Sequence, residues 1–468
     1  MPASRAHCVV LDVGGQSVRA VALDRAGKIL ALVRRALGLR TPRPGWFEQD
    51  PVAMLAAVRG AVAALAQRLD LAAGTPLGLA CQRASIVCWD RRTGLPLSPV
   101  IGWQDTRAAE LLEAAALDLD AVQVRTGMRP SAYLGASKLA WCWRHRPQVR
   151  RAARAGRLGW GPLASYLIQA LTAERAYRCP ASLAQRTLLF DPVRMDWDRA
   201  LCEAFGIEAA WLPEPVPDLA ELGRLAGQLP LPLGLCAGDQ NLLPAAVALR
   251  PDEAVLNLGT GAFVLAGADG DDARLQHSVL PGPEVPPRQV LEATVHGAAI
   301  AFAWWRERSG GGDGCDPPPS DADTPHFLDS VGGLGSPWWR HGVAPRFSRP
   351  PASQAQGLAA VADGLVHLLY TNLERLRARG LAGRRLWVGG GLAGADGLLQ
   401  RLADLAGVEV LRPRCTELSV RGAAVLLGCD PLTERECDRV QPGAADAARE
   451  RYRRWCAWVE DATDLRFA

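Results

Sequence analysis

Lysine is almost missing from this chain: the 53 basic residues are nearly all arginine, and they face 49 acidic ones. The balance of +4 gives no reason to expect a nucleic-acid partner. The excess of arginine and alanine reads as genomic base bias rather than as a binding surface. No secretion signal is visible, because Met1 to Leu11 lacks the apolar stretch of roughly 7–15 residues that one needs. No run approaches the ~18 apolar residues of a membrane span, since arginine, aspartate or glycine interrupts each one. These absences predict a cytoplasmic protein with no membrane partner. The twelve cysteines contain no Cys-x-x-Cys pair, and the seven histidines no His-x-x-x-His. Nothing therefore points to a transition-metal site, and the cysteines are expected to be reduced and part-buried.

What is present is a globular composition, 49% hydrophobic and 22% charged, over 468 residues. That length predicts two large domains rather than one core. Cys8 to Val13 and Val18 to Leu23 read as strands around the turn Gly14-Gly15-Gln16-Ser17, with a third strand at Ile29 to Val33. After Gly45-Trp-Phe-Glu-Gln-Asp50 a helix is predicted, with Pro51 in its first turn. Met54, Leu55, Val58, Val62 and Leu65 recur there at helical spacing.

The same grammar returns far along the chain, as Ala254 to Leu258, Gly259-Thr260-Gly261 and Ala262 to Ala266. A strand, a glycine turn and a return strand thus occur twice, which predicts two related α/β domains, each offering one hairpin to a shared ligand. The borders expected are 1–244, 245–430 and a helical tail, 431–468. Ser309 to Pro325 and Arg346 to Gln356 read as exposed loops. In the tail, Arg449, Arg451, Arg453 and Arg454 read as a solvated helix face.

Two glycine turns after strands are natural phosphate cradles, because small residues let backbone N–H groups approach an anion. Asp12, before the first turn, reads either as a magnesium-associated carboxylate or as a hydrogen-bonded turn residue. At Gly238-Asp239-Gln240 the apolar run Leu231 to Ala237 ends on a carboxylate. That position suits acceptance of a substrate hydroxyl proton in phosphoryl transfer, although a helix N-cap is the commoner fate of such an aspartate and is favoured on these residues alone.

The ordered set Leu11-Asp-x-Gly14, Gly45-Trp-x-Glu-Gln-Asp50, Trp103-Gln-Asp-x-Arg107, Gly238-Asp-Gln240, Gly259-Thr-Gly261, Gly389-Gly-Gly391 and Glu417-x-x-x-Arg-Gly-Ala-Ala424 resembles the FGGY carbohydrate kinases. The resemblance covers almost the whole chain. It implies two ribonuclease H-like (actin-like ATPase) domains facing an interdomain cleft that binds ATP and Mg2+, and it allows a homodimer. Gln82-Arg83, Thr126-Gly127, Tyr133, Ala136-Ser-Lys-Leu139 and Arg186-Thr-Leu-Leu-Phe190 are most similar to the glycerol kinase branch. By matched position Asp239 would be the catalytic base, with Asp12 and Asp239 at the metal. Gln82, Arg83, Trp103, Tyr133, Asp239, Gln240 and Phe263 would shape the pocket for a small sugar or polyol. Gly14, Gly15, Gln16, Ser17, Arg19, Thr260, Gly261, Gly390 and Gly391 would meet the nucleotide.

Three positions depart from that pattern. Gly15 stands where the family has threonine, Ala84 where glycerol kinases have a glutamate that accepts substrate hydroxyls, and Ala395 where they place asparagine near adenine. Ala303 likewise replaces an expected glutamine. A glycerol-kinase-like, ATP-dependent kinase for a small sugar or polyol is the first reading, with glycerol competing against a longer polyol or ketose that fills the space left at Ala84. Its alternative is a catalytically impaired ATP-binding sensor or scaffold of the same fold. A chaperone-type ATPase is disfavoured, since no peptide-binding β domain follows the second nucleotide turn.

Overall fold

The computed structural model describes residues 5–267, 272–311, 316–340, 342–443 and 445–467. It divides into two units. The first holds the chain up to Ala246 together with His277–Gln289 and Ser419–Pro431, and the second holds Val247–Gln276, Val290–Leu418 and Leu432 onward. The expected borders at 244 and 430 are thus crossed by two excursions, and the tail belongs to the second unit instead of standing apart.

In the first unit, β1 (Cys8–Val13) and β2 (Ser17–Leu23) form the predicted hairpin, and β3 (Ile29–Ala36) completes the meander. Helix α1 (Pro51–Ala66) starts where expected: Asp50 caps it by accepting the Val52 and Ala53 N–H groups at 2.8 and 3.2 Å, and Pro51 needs no partner in the first turn. Its inner face is Met54, Val58, Ala61 and Leu65, a helical i, i+4, i+7, i+11 row. Strand β4 (Leu77–Cys81) runs parallel to β1, helix α2 (Gly135–His145) follows, and β5 (Leu233–Gly238) lies parallel to β4. The sheet order is β5-β4-β1-β2-β3. β1 and β4 are buried along their whole length, as parallel strands covered on both faces must be. A smaller sheet joins Glu48–Gln49, Val100–Ile101, Ile86–Asp90 and Leu158–Pro162.

The second unit repeats this plan. Its strands are β6 (Glu253–Leu258), β7 (Ala262–Gly267) and β8 (Gln289–Val295), followed by helices α3 (Ala299–Ser309) and α4 (Gln354–Arg377). β9 (Arg385–Gly389), α5 (Asp396–Ala406) and β10 (Glu409–Pro413) close the pattern. Within a seven-stranded sheet edged by Gln276–Val279 and Cys437–Val440, the inner order β8-β7-β6-β9-β10 has the same parallel and antiparallel partners as β3-β2-β1-β4-β5. The repeat seen in two glycine hairpins is therefore a repeat of a whole sheet.

The tail forms α6 (Ala445–Ala462), with Trp455 fully buried and its indole N–H donating to Phe327 O at 2.8 Å. Its arginines do not share one solvated face. Arg453 and Arg454 are exposed, but Arg451 turns inward to Asp363 at 2.6 Å. Of the loop expected from Ser309 to Pro325, positions 312–315 lie outside the described residues. The part that follows is anchored rather than loose: Gly397 N donates to Asp316 at 2.8 Å, and Arg401 donates to Pro317 O.

Candidate active site

In the first unit the apolar strand β5 delivers Asp239 to its carboxyl end, where Asp239 N donates to Cys81 O at 3.0 Å and continues the pairing with β4. The half-buried carboxylate accepts the Gln240 N–H at 2.9 Å, so it caps the short turn Gln240–Leu242 while standing at the strand end. Burial raises its pKa above the ordinary aspartate value, and the guanidinium groups of Arg83 and Arg186 pull the other way. Arg83 donates to Asn241 Oδ1 at 3.2 Å, and Asn241 Nδ2 donates to Val279 O at 2.7 Å. Arg186 donates to Ser278 Oγ. Behind the strand end, Gly238 N donates to Ser182 Oγ at 3.0 Å, and Ser182 donates in turn to Asp218. Asp218 is buried, which pushes its carboxyl up to about 7 against the Ser182 bonds.

At the end of β1, Asp12 is buried and forms an ion pair with Arg19, its cross-strand partner, at 2.9 Å; Ser419 donates to the same oxygen at 3.4 Å. Arg19, expected at the nucleotide, is thus a partner of Asp12. The turn Gly14-Gly15-Gln16 closes onto Ser17, with Gly14 N donating to Ser17 O at 3.1 Å. Gln49 donates to Gly15 O at 2.9 Å, and Gln82 donates to Gln49 at 3.0 Å and to Gly14 O at 3.5 Å while accepting from Ser85. Gln82, expected in the substrate pocket, therefore spends its amide on bracing this turn. Asp12 and Asp239 flank β4 on either side, and both raise the Cys81 thiol after burial, the larger cause. Two strand spacings put the backbones of the two aspartates about 10 Å apart.

Trp103 and Tyr133 are half-buried, and burial raises the Tyr133 hydroxyl. The motif residues beside Trp103 are structural clamps. Arg107 grips Asp105 with two donors at 2.9 and 2.7 Å, reaches Glu48 at 2.7 Å and lies 4.0 Å over the Trp46 ring. Asp105 also accepts the Phe47 N–H at 2.6 Å. Two motifs that sit 58 residues apart in sequence are thereby one locked wall, which composition alone could not show.

The second unit brings its two glycine segments together at the carboxyl ends of adjacent parallel strands. Gly259-Thr260-Gly261 links β6 to β7, and Gly390 follows β9, where Asn257 pairs with Gly389. Gly390 has φ +94°, and a β-carbon there would stand 2.4 Å from Asn257 Oδ1 and 2.6 Å from Leu258 O. Glycine is required at that contact. The start of α3 is tied to the turn, with Ala299 N donating to Gly259 O at 3.0 Å. Phe263 is on β7, half-buried, opposite Asn257. Gly391 is open around its Cα, and Ala395 is buried at the start of α5.

Sequence reasoning passed over Asn241, Ser182, Asp218 and Gln49. Each acts through a partner more than 30 residues away, Asn241 included although the Gly238-Asp-Gln240 motif adjoins it.

Comparison with known proteins gives the same answer as the geometry. The family model "FGGY family of carbohydrate kinases, N-terminal domain" matches residues 7–238, and the C-terminal domain of that family matches 254–429. A glycerol kinase of Citrifermentans bemidjiense is 35% identical over 451 residues, covering 90% of each chain. One of Thermus brockianus is 32% identical, covering 97% of this chain and 98% of its own. Among solved structures, Plasmodium falciparum glycerol kinase with ADP superposes with a TM-score of 0.82 at 22% identity, covering 98% of this chain and 99% of that one. A ligand-bound xylulose kinase from Lactobacillus acidophilus gives 0.82 at 19%, with the same coverage. With its duplicated sheet, paired glycine turns and strand-end aspartates, this chain belongs to the FGGY family of carbohydrate kinases, as a glycerol-kinase-like enzyme that phosphorylates a sugar or polyol hydroxyl with ATP.

Proposed function

We propose that Asp239 is the general base of this kinase and that the acceptor is a polyol held by Arg83, Trp103, Tyr133 and Gln240. The observation that carries the reading is the placement of Asp239: a half-buried carboxylate at a strand end, raised by burial, beside Arg83 and Arg186. Asp239 takes the proton of the acceptor hydroxyl as its oxygen bonds to the γ-phosphorus of ATP; the bond from that phosphorus to the bridging oxygen breaks, and ADP leaves. Burial raises its pKa, which makes the carboxylate a stronger base than a solvent-exposed aspartate. Arg83, fixed by Asn241, donates to acceptor hydroxyls, and Trp103 covers the carbon skeleton.

Each glycine turn, Gly14 to Ser17 in the first unit and Thr260, Gly261, Gly390 and Gly391 in the second, is by itself a set of backbone donors suited to a phosphate. Asp12 and Asp239 fit Mg2+: both are hard oxygen donors, and such sites use one or two carboxylates beside substrate phosphates. Bound there, magnesium neutralises phosphate charge.

A coupled ADP-release assay with Mg-ATP over a panel of polyols, ketoses and aldoses, glycerol included, tests the reading. An acceptor-dependent signal lost in Asp239→Asn, with ATP binding kept, is expected. Near-normal kcat in that variant would falsify the assignment of the base. Silence across the panel with intact ATP binding would favour the sensor reading.

A further inference from the structure

Only two lysines occur among the 53 basic residues, Lys28 in an exposed turn and Lys138 on α2. Lys138 is fully buried. Its Nζ lies 2.8 Å from Gly102 O, 2.8 Å from Tyr133 O, 3.1 Å from Ala84 O and 3.3 Å from Trp103 O. An ammonium has three protons, so four carbonyls saturate it and one proton is shared. Burial pushes its pKa down to about 7, with Asp105 working to raise it and Arg107 to lower it. The carbonyl dipoles favour the charged form, as Asp105 does. A planar guanidinium fork matches carboxylates and phosphates but not a compact ring of carbonyls. In a chain otherwise stocked with arginine, the lysine here meets a geometric demand.

The four carbonyls belong to three segments far apart in sequence. One follows β4 and carries Arg83 before Ala84, the second carries Trp103, and the third carries Tyr133. Ala84 is held at φ +57°, a left-handed conformation that is strained for a non-glycine residue and persists only where surroundings enforce it.

We propose that Lys138 is the positioning residue of the acceptor pocket: its single buried ammonium ties the segments presenting Arg83, Trp103 and Tyr133 and so sets their spacing. The inference rests on the assignment of those three side chains to the acceptor. The tie itself stands on the contacts alone. Truncating Lys138 to alanine leaves a ring of carbonyl oxygens that a small monovalent cation can fill, so the variant becomes dependent on such a cation.

The test uses the full-length protein, with glycerol and the best panel acceptor as probes. In Lys138→Ala the acceptor KM should rise about 10- to 100-fold, the size expected from misplaced binding groups, while the ATP KM stays within about twofold. Methylammonium or K+ should recover much of the loss, and tetramethylammonium should not. Hydrogen exchange should quicken in peptides spanning 83–85, 102–104 and 132–134 and stay unchanged at Gly259–Gly261. Lys138→Met, which keeps the side-chain length without the charge, should show the same KM split without cation rescue; it also serves if the alanine variant does not fold. Acceptor and ATP KM rising together, or unchanged exchange in all three peptides, would overturn the proposal. If the wild type turns over no acceptor, the pocket assignment fails, while the exchange experiment still decides whether Lys138 ties the segments.

Discussion

The side chain of Arg83 lies across Gly238, with its Cγ and Cδ 2.8 and 2.9 Å from where a β-carbon on that glycine would stand. Asn241 Oδ1 would be 2.6 Å from the same point. The residue preceding the proposed base must therefore be small for the proposed acceptor arginine to take its place. Gly238→Ala should displace Arg83 and Asn241 together, lowering kcat/KM for the acceptor by about 100-fold and stability by roughly 1–3 kcal/mol. Steady-state kinetics and thermal melting read both. A variant with wild-type kinetics would mean that Arg83 does not serve the acceptor.

Ala84→Glu tests the missing glutamate. The backbone cost at φ +57° falls on alanine and glutamate alike, so folding should be little changed. A carboxylate accepting substrate hydroxyls is worth ~1.5–3 kcal/mol, so kcat/KM for glycerol should rise about 10-fold or more. No gain in a folded variant would sink the idea that this position sets the preference.

Gly15→Thr restores the hydroxyl of the first phosphate turn. The nearest atom to a β-carbon there is Gln82 Oε1 at 3.8 Å, an ordinary contact, so the side chain fits. One added neutral hydrogen bond of about 1 kcal/mol should lower the ATP KM roughly fivefold. An unchanged KM would show that the backbone cradle suffices.

Gly390→Ala and Gly391→Ala should separate sharply. The first drives a β-carbon into the Leu258 carbonyl and Asn257, whereas the second meets nothing within 4 Å. Gly390→Ala should raise the ATP KM at least about 10-fold and lower Tm; Gly391→Ala should melt like the wild type. Equal behaviour of the two would contradict the placement of the turn.

The second unit should lose stability on mild acidification. Burial lowers His367 from 6.5 to about 3, against the pull of Asp363. The unfolded chain therefore takes up a proton below about pH 6.5 that the folded one refuses until pH 3, so stability falls as pH drops through that window. Asp363 acts at the lower end. Burial works to raise it, but Arg451, His367 and Arg401, with Ser320, hold it below the usual carboxylate value, so its contribution is lost only as pH falls below about 4. Melting curves of His367→Gln should flatten between pH 6.5 and 4; an unaltered slope would assign it elsewhere.

Much of this was legible because it is local. A buried strand running into glycine, or into Asp239, announces itself within a dozen residues, and the capped start of α1 does so within four. Lys138 was visible only as part of a helix motif, since its meaning lies in carbonyls at 84, 102 and 133 that no periodicity connects. Gln82 and Arg19 read as ligand contacts by matched position, and that match does not reveal the bonds they make, to Gln49 and Gly14 O and to Asp12. Arg451 read as solvated because its neighbours are, and only the partner Asp363, 88 residues away, turns it inward.

The chain passes between the two units five times. Val279, which anchors Asn241, and Ser419, which donates to Asp12, are made long after the strands they complete. On the ribosome the first unit thus stays unfinished until residues beyond 430 emerge, and the amino-terminal half cannot mature ahead of the rest. Cutting the gene after Ala246 would not yield an autonomous module but one lacking a partner of Asp12 and the anchor of Asn241, which fixes Arg83, a constraint any split or fused version of this kinase must respect.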